Sequence, residues 1–157
     1  MSNPITDIKL AIMTKLRAEL PTKKVIEWVM DDMKPLEQLQ KKAQMASAGT
    51  IFIIFEGSDG FYQDETKPIL QEKLSFSLYT VESQSSTTVS SQNLDETVFN
   101  IKRVLNKLMI ESVSSYNTLK KANLELFFDT SKDYGFTNSG IARLTNLQRW
   151  VCSYIYD

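Results

Sequence analysis

The run Ile51-Phe52-Ile53-Ile54-Phe55 is apolar at every position. A strand sends alternate side chains to opposite faces, so this run offers no face to water. It predicts a central strand over Thr50–Glu56, covered on both sides. Gly49 opens it, and the cluster Gly57-Ser58-Asp59-Gly60 closes it as a turn. With 157 residues, 42% of them hydrophobic, the chain can bury one core. The expectation is a single α+β domain over residues 1–157.

Leu70 to Val81 has the period of an antiparallel strand, Leu74, Phe76, Leu78 and Thr80 alternating with Ser75, Ser77, Tyr79 and Val81. With the preceding strand it predicts a hairpin, joined by a polar arm from Gly57 to Pro68. Ile5, Ile8, Ile12, Leu16 and Leu20 predict a helix, with Pro4 in its first turn and Pro21 ending it. Leu94, Val98, Ile101, Leu105 and Leu108 predict a second helix, capped by Asn93 with Glu96 three positions on. Its expected job is to pack across the sheet. Further strands are expected at Lys24–Met30, at Leu124–Phe128 and within Ile141–Tyr156. A polar insert at about 31–48 holds a helical stretch between Pro35 and Ala46. A Ser/Thr/Gln-rich segment at about 82–93 is expected to be a mobile loop, and Ser131–Gly140 a second long loop. The expected architecture is a mainly antiparallel sheet of four to five strands, packed by two principal helices, with long polar loops.

The same sequence narrows the chemistry. It has no histidine and one cysteine, Cys152. The side chain that ordinarily titrates near neutral pH is missing, and zinc sites draw mainly on Cys and His. Cys152 has no histidine to activate it and reads as a small apolar strand residue. Asp31-Asp32 reads as a solvated turn, since two adjacent carboxylates do not converge on one ion. Gly57–Gly60 lacks the Lys-Ser/Thr ending of a phosphate loop. Asp59, Asp64, Glu65, Asp129 and Asp133 are the carboxylates that glycoside hydrolysis would draw on, and no spacing selects a pair among them. No catalytic residue, cofactor or metal is therefore expected. A formal net charge of −1 argues against general nucleic-acid binding. Arg143, Arg149 and Trp150 offer a thin basic-aromatic set, with Trp150 expected in the core and Arg149 at the surface. No run approaches the roughly 18 apolar residues of a membrane span, and no secretory signal is expected at the N-terminus. The aromatics on the two polar loops, Phe61, Tyr62, Tyr134 and Phe136, are the candidate protein-contact residues.

The order helix, strand, polar insert, two strands, Ser-rich loop, helix and closing strands resembles the tail-terminator and minor tail proteins of long-tailed bacteriophages. The resemblance is carried by Ile5-Thr6-Asp7-Ile8-Lys9-Leu10-Ala11-Ile12-Met13-Thr14-Lys15-Leu16-Arg17 followed by Leu20-Pro21. Leu74-Ser75-Phe76-Ser77-Leu78-Tyr79, the helix Leu94–Leu108 and the closing strands carry the rest. It covers most of the chain by pattern and rests on no diagnostic motif. It implies a non-enzymatic subunit of a ring, commonly six-fold, that caps the tail tube and meets the head–tail connector. Its partners would be other copies of itself, the tube protein and the connector. Its place would be the virion tail, after synthesis in the host cytoplasm. A neck or head–tail completion protein, and a non-viral adaptor or ligand-binding domain, are the alternatives.

Overall fold

Ile8, Ile12, Leu16 and Leu20 recur every four residues, which puts them on one side of a helix. All four are buried, on or just after α1 (Pro4–Glu19). The helix stops where Pro21 has no N–H to continue it, and the Leu20 amide closes the last turn on the Leu16 carbonyl. The computed structural model describes residues 4–29, 41, 46–64, 67–85, 89–108, 110–111, 121–134 and 143–156. Most of the polar insert lies outside them; of its expected helical stretch only Lys41, which is helical, and Ala46 are described.

The fold is α+β. The strands are β1 (Lys24–Glu27), β2 (Thr50–Asp64), β3 (Lys67–Ser83), β4 (Ile110–Glu111), β5 (Lys121–Tyr134) and β6 (Arg143–Tyr156). They form one six-stranded sheet in the order β1-β2-β3-β6-β5-β4. The sheet is mainly antiparallel, as expected, but β1 pairs parallel to β2, Val25 opposite Ile51. A parallel pair needs a long crossover, and the insert between Glu27 and Thr50 is that crossover. The sixth strand is β4, which lies in a stretch that reads as a polar connection. Two residues are too few to show any alternation.

Ile51 and Ile53 face the helices with Leu74, Phe76, Leu78, Trp150 and Cys152. Together with α1 and the second helix, α2 (Gln92–Lys107), they make the main core. Phe52 and Ile54 face the other way, with Tyr79 and Val81, under Trp28 and Ala46 from the two ends of the crossover. The Trp28 and Phe52 rings meet edge to face, centroids 5.8 Å apart. The all-apolar run is thus covered on both faces. Trp150 is fully buried and Arg149 exposed, each as the alternation predicts. The Trp150 indole donates to Gln148 Oε1 at 2.9 Å, and Gln148 Nε2 donates to the Val98 carbonyl of α2 at 3.4 Å. A fully buried glutamine is tolerated here because both ends of its amide have partners.

Four boundaries differ from the sequence expectation. β2 and β3 run through the predicted arm, pairing from Thr50↔Val81 out to Asp64↔Lys67. Polar and glycine residues there read as turn, but strand pairing satisfies their backbone as well as a turn would. β5 likewise runs on through Ser131–Tyr134 of the second predicted loop, paired with Arg143–Asn146. Glu82 and Ser83 end β3 instead of opening a loop. Finally, the cap of α2 lies two residues before the expected one. Ser91 is the N-cap and its hydroxyl donates to Asp95 Oδ2, while Asn93, inside the first turn, donates to the Ser83 carbonyl.

Candidate functional site

Of the predicted contact aromatics, the three that are described sit on strands and not on loops. Phe61 and Tyr62 are on β2, opposite Gln71 and Leu70, and Tyr134 is on β5, opposite Arg143. Phe136 lies outside the described residues. Three of the four nominees thus belong to the ends of long strands. β2 and β3 have 15 and 17 residues and β5 and β6 have 14 each. At about 3.3 Å per residue, 14 residues span roughly 45 Å, several times the usual strand of five or six. The last β6 partner on β3 is Leu70, opposite Tyr156. Beyond it β2 and β3 pair only at Asp64↔Lys67.

The carboxylates considered for catalysis are not brought together. Asp59 and Asp64 lie on β2, and Asp129 and Asp133 on β5, with β3 and β6 between them. Three strand spacings amount to about 14 Å, beyond the roughly 5–9.5 Å of a glycosidase pair. Within one strand, residues four or five apart are separated by about 13–16 Å. Glu65 lies outside the described residues. Burial drives the Cys152 thiol up from 9.0 to about 12, so the reactive thiolate is scarce at neutral pH. No group of three or more metal-ligating side chains occurs among the described residues. No described helix is long and apolar enough to cross a membrane.

The structure assembles polar groups that sequence reasoning missed. Glu56 is the extra residue of a bulge between Phe55 and Gly57. It lies on the face opposite the main core, accepts a hydrogen bond from Ser77 Oγ at 2.8 Å and pairs with Arg149. The carboxylate thus ties β2 across β3 to β6. Both members of the ion pair are largely solvated, so its contribution to stability is small. Glu82 is different. Its side chain is 5% exposed, and Oε1 accepts from Lys23 Nζ and Thr97 Oγ1, each at 2.8 Å. This carboxylate joins the end of β3 to α2 and to the turn that enters β1. An acidic residue after an apolar strand carries no sequence signal that a lysine 59 positions earlier will meet it.

The helix layer also has an outward surface. Leu10 of α1 and Phe99 of α2 are 57% and 60% exposed, and the Arg103 guanidinium lies 5.9 Å over the Phe99 ring. A cleft of about 310 Å³ separates the helices there, lined by Lys15, Glu19, Asn100 and Arg103 among others. Leu10 and Phe99 fall off the apolar stripes of their helices, which is the one sequence signal that could have singled them out. The candidate site is therefore made of surfaces: the long sheet margins and the exposed apolar and basic side chains of the helices. Compared with protein-family models and with curated proteins, the chain matches none.

Proposed function

We propose that this chain is a structural subunit of a phage tail, a tail-terminator protein that closes into a ring on the end of the tail tube and presents its other side to the head–tail connector. The observation that carries the reading is the length of the strands. β2 and β3 run on well past Phe55 and Leu74, the furthest of their described side chains in the main core. Strands of this length give a subunit the reach to meet a neighbour. The element order that the resemblance rests on supports the same reading. Ring closure needs a heterologous contact whose rotation closes, and the long margins of the sheet offer one.

The test is genetic and visual. Particles made without the chain should carry tails of irregular length that do not join heads, and the purified chain added back should restore joining. Tails of normal length that join heads without it would end the proposal. Tails of normal length that fail only at the neck would move the chain to head–tail completion.

A further inference from the structure

We infer that copies of this chain join by continuing the sheet: the outer margin of β2 from Ile54 to Asp64 pairs antiparallel with the outer margin of β5 from Asn123 to Tyr134 on the next copy. The inference rests on the ring reading and names the contact that would build it.

Begin with what the two margins lack. β1 pairs with β2 only from Thr50 to Ile53. β4 pairs with β5 only at Lys121 and Ala122. Beyond those residues the inner side of each strand is fully engaged, β2 with β3 and β5 with β6. The outer side has no strand partner among the described residues. A long strand margin with unpaired N–H and C=O groups is a template for another strand.

The third margin is closed. Lys24 N–H donates to the Gly49 carbonyl and Trp28 N–H to the Ile53 carbonyl. In a parallel ladder alternate residues face the partner, so Val25 turns its carbonyl outward. Arg17 of α1 covers that carbonyl with Nε at 3.3 Å and a terminal nitrogen at 3.0 Å. A guanidinium there blocks strand addition, as charged side chains do on natural sheet edges. Among the described residues, the long margins without a strand partner are those of β2 and β5.

They also match each other. β2, β3, β6 and β5 alternate in direction, so β2 runs antiparallel to β5. A neighbour placed in the same orientation therefore offers β2 to β5 in the antiparallel sense. The two margins lie on opposite sides of the sheet. Each copy gives one and receives the other, which is the heterologous contact that makes rings. Tracing the register across the sheet puts Asp59 level with Lys73, Ser153 and Asn123. The margins are thus level over Ile54–Asp59 and Asn123–Phe128, and pairing over their full length takes a stagger of about five residues, as strand tilt in a closed sheet supplies. Each carries a bulge, at Glu56 and at Phe127, and bulges bend the strand that holds them, the kind of curvature a closing sheet needs.

The experiment uses introduced thiols, because the native Cys152 is buried. Asp59→Cys is combined with Asn123→Cys, and separately with Asp129→Cys to allow for a tilted ladder. Strand neighbours stand about 4.5–5.5 Å apart, within disulfide reach. Under mild oxidation the double variants should give a ladder of covalent oligomers. A mixture of two single variants should stop at dimers, and each single variant alone should give none. Light scattering on the unmodified chain reads assembly separately. In the same samples, backbone hydrogen exchange should slow several-fold over Ile54–Asp64 and Asn123–Tyr134 as concentration rises, while Lys24–Glu27 stays unchanged. Oligomers that form with no ladder and no new protection in those two stretches would overturn the edge contact and leave the ring reading standing. Dimers from one single variant alone would make the contact self-complementary and overturn it too. A strict monomer up to millimolar concentration, uncrosslinked, would overturn both.

Discussion

Replacing Glu82 with alanine tests whether one buried carboxylate locks α2 and the turn before β1 to the end of β3. The carboxylate is almost out of water and takes hydrogen bonds from Lys23 and Thr97, both at 2.8 Å. Removing one partner of a buried ion pair typically costs about 3–5 kcal/mol, mostly because the remaining charge is stranded. Here the remaining charge is on Lys23, whose side chain is 25% exposed and can turn to water. Thr97 also keeps the Asn93 carbonyl, 3.0 Å away, as an acceptor. Both facts reduce the loss, to about 2–3 kcal/mol for Glu82→Ala. Glu82→Gln keeps an acceptor of the same shape and should lose about 1–2 kcal/mol. With a urea slope of about 2 kcal/mol per molar, the alanine variant should unfold at roughly 1 M less urea. The assay is equilibrium unfolding followed by far-UV circular dichroism and tryptophan fluorescence. Because the pair is buried, the loss should persist at high salt, unlike that of a surface pair. A double-mutant cycle with Lys23→Met should return a coupling above about 0.5 kcal/mol. A loss under about 0.5 kcal/mol for Glu82→Ala, or one that vanishes in salt, would refute the reasoning.

Three other substitutions follow from the same structure. Thr80 is fully buried, and its hydroxyl has no hydrogen-bond partner among the described residues; Thr80→Val should raise stability by about 1 kcal/mol, read as a higher urea midpoint. Gly49 holds φ at +84°, so Gly49→Ala should cost about 1–2 kcal/mol from backbone strain alone, checked by thermal unfolding. The Cys152 thiol is raised from 9.0 to about 12 by burial. The unfolded chain therefore loses this proton first, and the thiol's share of stability is complete below pH 9. That share falls by about 1.4 kcal/mol per pH unit until the folded thiol itself ionises. Cys152→Ala should flatten the decline between pH 9 and 12 relative to the unmodified chain, and equal slopes for the two proteins would show that this thiol contributes nothing there.

Periodicity made both described helices legible, because a stripe such as Ile8, Ile12 and Leu16 is a local property that any packed helix must show. The all-apolar run Ile51–Phe55 likewise demanded cover on two faces and has it. The extensions of β2, β3 and β5 were not legible. Gly57–Gly60 and Ser131–Tyr134 have turn-like composition, and a strand paired on a neighbouring strand needs backbone partners more than it needs apolar side chains. The expected contact residues Phe61, Tyr62 and Tyr134 were therefore marked for their aromatic character but assigned to the wrong kind of element.

By itself the sequence determined the apolar stripes of the two helices, the central strand that must be covered on both faces, and the absence of histidine chemistry. Those are consequences of side-chain identity and local period. Only the tertiary structure decided that β1 runs parallel to β2, that Arg17 reaches the Val25 carbonyl, that Lys23 and Glu82 meet, and that the margins of β2 and β5 have no strand partner among the described residues. Each depends on which segments become neighbours across a crossover or a sheet, and no local pattern of apolar and polar residues encodes which backbone edge is left without a partner.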